Sequence, residues 1–429
     1  MGLLSSLGRM FNRAPAASGP APAPAPYARK DLAAHFSPEG RKRILALDGG
    51  GVRGAMSIAV LERIETILRN RHGGHPDFRL CDHFDLVGGT STGSIIAAGL
   101  AAKRMTAAEI AQMYDELAGD VFKGRLFALG ATRAKFDAKN LRRQLKGVFG
   151  EMTLGDPGFA TGYAAVAKRI DTVSPWVLHN NPQGRYFDDP PDRAFHGNKH
   201  YPITRVVRAS AAAPLYFDPE RIEIAPGEFG EFIDGGLTPH NNPAFQMLML
   251  AGLKGHNFGW TLNADQLFMI SIGTGSMIEK SVERPGLMGR LSGARALKAL
   301  MSTISSSEDF IELLMQWASQ SLDPNAIDSE IGDLSGDLLG GDPLLTYERY
   351  QCRLDRTYLR SELGLNLSER QMSLLREMTN AKAVPIARDV GLAMAERYVR
   401  EEHFPARFDL VGGSAPAPRP AGAGAPQSV

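Results

Sequence analysis

The chain has 429 residues, of which 43% are hydrophobic and 22% charged, so it can bury a large core. Its 48 Lys and Arg residues nearly balance 47 Asp and Glu, and this net charge of +1 gives no reason to expect a nucleic-acid polymer as a partner. Two cysteines supply neither a disulfide framework nor a metal-ligand cluster, and no apolar run approaches the roughly 18 residues that span a bilayer. We therefore expect no structural metal and no integral membrane protein.

Both ends of the chain differ in composition from its middle. Residues 14–26 and 414–429 are biased toward Ala and Pro, which is typical of linkers and tails. The first 13 residues place apolar side chains and two arginines at roughly helical spacing, as in segments that lie in a membrane interface. Residues 1–40 are accordingly predicted to be disordered or weakly amphipathic, and residues 411–429 to form a disordered tail.

Short apolar runs alternate with amphipathic stretches through the middle of the chain. The patterns predict strands at 44–47, 84–87, 163–170, 176–179, 231–233 and 267–272, and helices at 55–70, 94–100, 106–117, 137–148, 203–212 and 243–250. This alternation predicts an α/β fold in three layers, with a mostly parallel central sheet between helices.

The pattern changes at about residue 285. Helical stretches separated by polar loops follow, with no convincing strand before residues 351–354. We predict a catalytic domain at 41–284 and a mainly helical C-terminal extension at 285–410 that packs on it.

A glycine-rich motif, Asp48-Gly49-Gly50-Gly51-Val52-Arg53-Gly54, follows the first predicted strand. Its backbone amides carry no obstructing side chains and lie at the start of a helix, where a developing oxyanion would be stabilised. The same letters fit the G-x-G-x-x-G dinucleotide fingerprint, which is an alternative interpretation. That fingerprint needs an acid roughly 20 residues further on, at the end of the next strand, and this sequence lacks one there. No P-loop motif occurs.

A second motif, Gly89-Thr90-Ser91-Thr92-Gly93, follows the second predicted strand. It fits the G-x-S-x-G nucleophile elbow, in which the two glycines allow a strained turn that exposes the serine hydroxyl at a helix start. A glycine-rich turn without catalysis is the alternative, because three fixed positions can match by chance. The position of the motif between a strand and a helix favours a serine hydrolase.

A serine hydroxyl needs a neighbouring base to accept its proton. The candidates are His83, His179, His196, His200, His240 and Asp234. Asp234 ends a predicted strand and precedes Gly235 and Gly236, so it shares the architecture of the other two motifs. Partial burial would raise the pKa of its carboxyl from the usual value near 3.9 toward a useful range.

The three motifs, in this order and on these elements, resemble the signature blocks of patatin-like phospholipases. Residues 208–217 are similar to the family's small-residue helix that ends in a proline and aromatics, and the resemblance covers about residues 41–276. It implies a Ser-Asp dyad, in which Ser91 attacks, Asp234 accepts the proton and the amides of Gly50 and Gly51 hold the oxyanion. Arg53 would support the loop or meet a substrate phosphate. The third block reads Asp-Gly-Gly where Asp-Gly-Ala is also usual, which leaves the carboxylate unchanged.

The implied reaction is hydrolysis of fatty acyl esters of lipids or phospholipids through an acyl-serine, without a cofactor or a metal. Two other functions stay open: a ligand-gated effector phospholipase, for example in nucleotide-activated antiphage defence, and a catalytically silent lipid-binding protein. The predicted partner is a lipid substrate. A peripheral membrane contact, a homo-oligomer and a small-molecule activator are further expectations for a cytoplasmic protein. An apolar stripe with basic residues at 287–304 supports lipid access, although a core or lid helix explains it equally well.

Overall fold

A central sheet organises the part of the chain that the structure describes. The structure is a computed structural model, and it describes residues 29–121, 138–214, 216–277 and 292–410, with the side chains of 120, 121, 138 and 292–301 left aside. Most of the N-terminal segment predicted to be disordered or weakly amphipathic (1–40), the predicted tail (411–429) and most side chains of the stripe at 287–304 lie outside the described residues. The described part of that N-terminal segment includes a short helix, Leu32–Phe36.

The described strands form one mostly parallel sheet. They are β1 (Lys42–Leu47), β2 (Leu86–Thr90), β3 (Gly162–Arg169), β4 (Ser174–His179), β5 (Glu220–Ala225), β6 (Glu228–Asp234), β7 (Leu267–Ile272), β8 (Gln320–Ser321) and β9 (Thr346–Tyr350). Their order is β5-β6-β3-β2-β1-β7-β9-β8, and β4 pairs with β3. The run from β3 to β8 is parallel, whereas β4 and β6 are antiparallel to β3, and β5 is antiparallel to β6.

Helices follow most of the strands. They are α1 (Leu32–Phe36), α2 (Gly54–Arg71), α3 (Leu80–His83), α4 (Thr92–Lys103), α5 (Ala107–Val121), α6 (Ala138–Phe149), α7 (Ile203–Ser210), α8 (Ala244–Gly252), α9 (Ser292–Trp317), α10 (Arg356–Ser361), α11 (Glu369–Arg376) and α12 (Val384–Tyr398). In the described ranges, no helix has both the length and the apolar character needed to cross a membrane.

Helices cover both faces of the sheet because its strands are apolar on both faces. In β1, Leu45 and Leu47 belong to a core with buried residues of α2, α4, α7 and α12. The alternate residues Ile44 and Ala46 belong to a second core with buried residues of α8 and α9. Since successive side chains of a strand point to opposite faces, the two cores lie on either side of the sheet. The predicted three-layer α/β/α class is confirmed.

Three strands differ from the sequence-based prediction, namely β5, β8 and β9. The strand expected at 351–354 ends at Tyr350 and begins at Thr346, so the prediction of no strand before residue 351 was wrong. Glu348 and Arg349, both buried in that strand, hid its apolar pattern. β5 was not predicted, because its exposed residues alternate with buried ones over a charged sequence. The division at residue 284 stays a prediction, although β9 pairs with β7 and brings part of the extension into the central sheet.

Candidate active site

Ser91 lies in a strained turn between β2 and α4. Its φ is 52° and its ψ is −122°, a conformation that residues with a side chain rarely adopt. The turn is tight: a Cβ added to Gly89 would lie 2.2 Å from the backbone of Gly93, and one added to Gly93 would lie 2.1 Å from the Leu47 carbonyl oxygen. Glycine at both positions therefore allows the elbow, which places the Ser91 side chain at the amino end of α4.

The register of the sheet brings Asp234 to Ser91. Thr90, the last residue of β2, pairs with Val166 of β3, and Asp234 of β6 pairs with Ala167 on the other side of β3. The end of β2 and the end of β6 thus meet at the same level across one strand. Ser91 Oγ donates a hydrogen bond of 2.6 Å to Asp234 Oδ2.

The Asp234 carboxyl is almost fully enclosed. Its residue is 6% exposed, and Oδ1 accepts a hydrogen bond of 2.7 Å from the Gly236 amide. Burial raises the pKa of Asp234 to about 6, against the opposite effects of the bonds from Ser91 and Gly236 and of the positive charge of Arg208. A carboxylate with this pKa is still ionised at neutral pH and is a stronger base than an exposed aspartate.

Ser210, the last residue of α7, holds the elbow from the other side. Its Oγ accepts a hydrogen bond of 2.9 Å from the Ser91 amide and donates one of 2.6 Å to the Val166 carbonyl oxygen. The Ser91 backbone is thereby tied to β3, the strand that separates β2 from β6. This bond helps to fix the strained conformation that presents the hydroxyl.

The first glycine motif forms a loop against Ser91. A Cβ added to Gly49 would lie 3.2 Å from Ser91 Cβ. The Gly49 amide donates to the Asn241 carbonyl oxygen at 3.1 Å, and the Gly49 carbonyl oxygen accepts from Thr274 Oγ1 at 2.8 Å. The loop is therefore anchored at Gly49, directly before the two glycines that would face a substrate.

Gly50, which is buried, and Gly51, which is half-buried, continue this loop. Gly51 has a φ of +57°, and a Cβ there would lie 2.1 Å from the Met378 carbonyl oxygen, which accepts the Val52 amide at 2.8 Å. No residue within the described ranges accepts a hydrogen bond from the amide of Gly50 or Gly51. These amides, at the amino ends of a 3₁₀ turn (Gly51–Arg53) and of α2, are therefore available to an anion.

Asp48, at the end of β1, forms a buried ion pair with Arg349 of β9. Arg349 Nη1 and Nη2 donate to the two Asp48 carboxylate oxygens at 2.9 and 2.6 Å, and Nη1 also donates to Ser271 Oγ at 2.6 Å. Both side chains are at most 3% exposed. This bidentate pair fixes the start of the glycine loop to the sheet.

Ser91 and Asp234 face a mostly apolar cavity of about 110 Å³. Its apolar lining comes mainly from four helices and from the turn after α7, namely Ile95, Leu117, Leu141, Ala211, Ala213, Pro214, Tyr216, Phe217, Leu237, Ile304 and Met378. Gly49, Gly50 and Gly51 complete the wall beside the hydroxyl. A pocket with a few convergent polar groups in an apolar lining suits an ester with a hydrocarbon chain.

Comparisons with known proteins show the family of the chain. The family model described as Patatin-like phospholipase matches residues 45–248. A cUMP-AMP-activated phospholipase of Escherichia coli is 32% identical over 255 residues, which cover 58% of this chain and 69% of that protein. The chain belongs to the patatin-like phospholipase family.

Other members of the family are similar over shorter shares of their length. A cGAMP-activated phospholipase of Escherichia coli strain TW11681 is 29% identical over 239 residues, covering 54% of this chain and 62% of that protein. Patatin-17 of Solanum cardiophyllum is 29% identical over 256 residues, covering 55% of this chain and 61% of that protein. The chain thus spans less than two thirds of the length of several relatives that it matches.

The other predicted site residues lie as follows. Gly54 begins α2, and Gly235 and Gly236 form a 3₁₀ turn directly after Asp234. Arg53 lies apart from the dyad: its side chain lines a neighbouring cavity, and it is absent from the described lining around Ser91. Among the described residues that line the Ser91 cavity there is no histidine, and His83, the candidate before β2, is buried in α3.

Several supporting residues were not predicted from the sequence. They are Ser210, Asn241, Thr274, Arg349 and Met378. Thr274 carried a signal, because Gly273-Thr274-Gly275 follows a strand as the catalytic motifs do. Arg349 and Met378 lie far along the chain from the loop that they support, and no local pattern marks them.

A group of possible cation ligands lies elsewhere in the described structure. Asp323, Glu348 and His403 place one ligand atom each within 4.8 Å of the others. Arg400 Nη2 donates to Asp323 Oδ2 at 3.0 Å, and His403 Nδ1 lies 3.0 Å from the Tyr350 hydroxyl. The Nε2 atom of the buried His403 has no hydrogen-bond partner among the described residues.

Proposed function

We propose that the protein hydrolyses fatty acyl esters of lipids, with phospholipids as the main substrate class, by a Ser91–Asp234 dyad. The observation that carries the proposal is the 2.6 Å hydrogen bond from Ser91 Oγ to Asp234 Oδ2. Membership of the patatin-like phospholipase family and the apolar lining of the cavity support the substrate class.

In the first half of the reaction, Ser91 Oγ attacks the ester carbonyl carbon while Asp234 accepts the hydroxyl proton. The carbonyl oxygen becomes an oxyanion, which the amides of Gly50 and Gly51 and the amino end of α4 stabilise. The bond to the leaving alcohol then breaks, and Asp234 returns the proton to the alcohol oxygen. The acyl group remains on Ser91.

In the second half, a water molecule attacks the acyl carbon and Asp234 takes one of its protons. A second oxyanion forms at the same amides and collapses as Ser91 leaves. Asp234 protonates Ser91 Oγ, and the fatty acid is released. In this scheme one carboxylate serves as base and acid in both halves, so its pKa sets the pH range of activity.

The test is direct detection of products. Purified protein is incubated with mixed phospholipids, and released fatty acids are identified by mass spectrometry. A fluorophosphonate probe should label Ser91, and Ser91→Ala should abolish both labelling and release. Asp218→Asn is a matched control, because Asp218 is an exposed acid outside the described lining of the Ser91 cavity. Full fatty-acid release by both Ser91→Ala and Asp234→Asn would refute the dyad.

A second proposal concerns regulation, namely that a nucleotide-type ligand activates this hydrolase. It is favoured by relatives whose names describe phospholipases activated by cGAMP and by cUMP-AMP. Calorimetric titration with both compounds, followed by fatty-acid release with and without them, tests it. Absence of binding and of stimulation for both compounds would contradict it.

The remaining predictions concern place and assembly. A hydrolase acting on bilayer lipids has to meet a membrane surface, so peripheral attachment of a cytoplasmic protein stays our proposal. Co-sedimentation with phospholipid vesicles tests the attachment. A silent lipid-binding protein would be supported instead by two results together. The Ser91→Ala variant would bind vesicles like the original chain, and the original chain would hydrolyse no ester. Homo-oligomer formation also stays a prediction, to be measured by sedimentation.

A further inference from the structure

A buried imidazole with an unused nitrogen lies beside two carboxylates in the C-terminal extension. The side chains are those of Asp323, Glu348 and His403, and one ligand atom of each lies within 4.8 Å of the others. Asp323 lies just after β8, Glu348 lies in β9, and His403 ends a 3₁₀ turn (Glu401–His403). We call this group the His403 cluster. None of its members belongs to the described lining of the Ser91 cavity, so it is separate from the candidate active site.

Burial distinguishes this cluster from an ordinary group of surface acids. The side chains of Glu348 and His403 are each 2% exposed, whereas that of Asp323 is 46% exposed. The two inner groups are therefore shielded from water, and an ion can reach them from the side of Asp323. Buried groups that carry charge are normally paired with an opposite charge or bound to a metal ion.

The two ring nitrogens of His403 differ in their surroundings. Nδ1 lies 3.0 Å from the Tyr350 hydroxyl and 3.3 Å from Glu348 Oε1. Nε2 has no hydrogen-bond partner in the described ranges, and Asp323 Oδ2, at 3.9 Å, is too far away for a hydrogen bond. If Nε2 carries a proton, a buried donor lacks an acceptor. If it carries none, its lone pair faces a carboxylate oxygen. Both arrangements are unfavourable, whereas a cation between the two atoms satisfies both of them.

The two acids are held together and are only partly balanced by a protein cation. Glu348 Oε2 accepts a hydrogen bond of 3.1 Å from the Asp323 amide, which fixes the two residues relative to each other. Arg400 Nη2 donates to Asp323 Oδ2 at 3.0 Å, from a side chain that is 43% exposed. The other oxygen of Asp323, Oδ1, accepts no hydrogen bond from a described residue. Arg400 thus lies on the outer side of the cluster and leaves an oxygen available to an ion.

We propose that the His403 cluster binds a divalent transition-metal ion of the Zn²⁺ type, through His403 Nε2 and one carboxylate oxygen each of Asp323 and Glu348. Imidazole nitrogen and carboxylate oxygen both bind Zn²⁺ at about 2.0–2.2 Å, so two ligands of a tetrahedral ion lie roughly 3.3–3.6 Å apart. The 3.9 Å between Nε2 and Oδ2 needs only a small movement of the half-exposed Asp323. The contacts of Nδ1 orient the ring, as the second nitrogen of a metal-binding histidine does.

This site uses no cysteine. The sequence-based expectation of no structural metal rested on the presence of only two cysteines, and both of them are buried apart from the cluster. A site of one imidazole and two carboxylates has no short sequence motif here, because its residues come from three separate segments of the extension.

A metal ion here would hold the end of the extension to the central sheet. It would join the 3₁₀ turn that carries His403 to β9, the strand that carries Glu348. The next residue of β9 is Arg349, whose side chain points to the opposite face of the sheet and binds Asp48 at the start of the glycine loop. The ion would therefore stabilise the strand that supplies this counter-ion, without contact with a substrate.

The first experiment measures binding. The full chain is freed of metals with a chelator, and Zn²⁺ is then titrated calorimetrically. We expect saturable binding that is at least about tenfold weaker in His403→Gln and in Asp323→Asn, because each removes a ligand. The matched control for the acid is Asp337→Asn, an exposed residue between β8 and β9 and outside the cluster. The control for the imidazole is His200→Gln, which removes an exposed histidine that contacts Asp189. Both controls should bind like the original chain.

The second experiment tests the ligand set. Co²⁺ is used in place of Zn²⁺, because its visible absorption bands respond to the atoms that bind it. We expect these bands in the original chain and in His200→Gln, and their loss in His403→Gln. Mg²⁺ and Ca²⁺ should bind much more weakly than Zn²⁺, because both prefer sites made of oxygen atoms alone.

The third experiment tests the link to stability. An ion that binds only the folded chain raises the thermal midpoint, and for 429 residues the rise is roughly 3 °C at about 100 times the Kd. We expect this rise in the original chain and in Asp337→Asn, and not in Asp323→Asn at the same Zn²⁺ concentration. The midpoints without metal also show whether His403→Gln is folded, and if it is not, Asp323→Asn decides the test.

The possible outcomes separate the site from the proposed hydrolysis. No saturable Zn²⁺ binding to the original chain, or binding to Asp323→Asn equal to that of Asp337→Asn, would overturn the site. Ca²⁺ binding as tight as that of Zn²⁺ would overturn the role of the imidazole. Because binding is measured without substrate, the result stands whether or not the chain hydrolyses esters.

Discussion

Ionisation of Asp234 is the most testable consequence of the site. In the proposed mechanism the carboxyl must be ionised to accept the Ser91 proton, yet burial raises its pKa from 3.8 to about 6. At about 1.36 kcal/mol for each pKa unit, a shift of about two units corresponds to roughly 3 kcal/mol of stability lost when the group is charged. Asp234→Asn keeps the shape and an acceptor oxygen but cannot ionise.

The sign of the pH dependence follows from this shift. Because the pKa of the folded state lies above that of the unfolded state, the folded state binds more protons between about pH 4 and pH 6. Stability therefore falls as the pH rises through this window, and the whole cost is present above about pH 6. We expect Asp234→Asn to be more stable than the original chain at pH 8, by up to about 3 kcal/mol, and equally stable below about pH 4.

Urea unfolding at pH 4, 6 and 8 measures this difference. With about 2.1 cal/mol/K of unfolding entropy per residue, 3 kcal/mol in a chain of 429 residues corresponds to roughly 3 °C in the thermal midpoint. The exposed control Asp218→Asn should show no such pH-dependent gain.

The activity of the same variants should change in the opposite direction. We expect kcat/KM of the original chain to rise with pH to a plateau, with an apparent pKa near 6, because only ionised Asp234 is a base. Asp234→Asn should lose about 10²–10⁴-fold in kcat/KM. The reasoning is refuted if Asp234→Asn gains no stability at pH 8, or if the original chain has a flat profile between pH 5 and pH 7.

Three further variants test the supports of the site. Gly51→Ala should abolish ester hydrolysis and lower the free energy of unfolding more than Gly150→Ala does. Both glycines have positive φ, but only at Gly51 would the added Cβ lie 2.1 Å from a carbonyl oxygen. Equal losses in urea unfolding would contradict this. Ser210→Ala should reduce kcat with little change in KM. It should also cost about 1–3 kcal/mol of stability, because the Ser91 amide and the Val166 carbonyl oxygen lose their bonds to the Ser210 hydroxyl. Unchanged kinetics would contradict this prediction. Arg349→Met should lower the free energy of unfolding in urea by about 3–5 kcal/mol, because it leaves the Asp48 carboxylate unpaired. Adding Asp48→Asn should restore part of this stability. No recovery would show that the broken ion pair is not the cause.

The fold was predictable where local pattern and burial agree. Strands such as β7 lie in apolar runs, and its predicted bounds equal the observed ones, Leu267–Ile272. β9 was misplaced because Glu348 and Arg349 are charged and still buried. Arg349 finds its partner Asp48 about 300 positions away in the chain, and a pairing of that kind leaves no local trace.

The candidate dyad could be proposed from sequence because strong backbone constraints mark its two residues. Gly89 and Gly93 are required by close approach in the turn around Ser91, and such a requirement is visible as a motif. The antiparallel direction of β6 was not visible, although it decides that Asp234 meets Ser91 across β3. Sequence placed both residues at strand ends, whereas their distance depends on sheet order, which only the structure provides.

The C-terminal extension contributes residues that hold the glycine loop of the candidate site. The family model ends at residue 248, yet the counter-ion of Asp48 comes from β9, and the carbonyl oxygen that holds the Val52 amide comes from Met378, after α11. The glycine loop lies before the predicted boundary near residue 284, but residues after that boundary hold it in place. Because the loop is held by contacts from both sides of that boundary, we expect a ligand that shifts α11 or β9 to shift the amides proposed to hold the oxyanion as well. The proposed activation by a ligand would therefore need no long-range pathway, because a displacement of these direct contacts with the glycine loop would be sufficient.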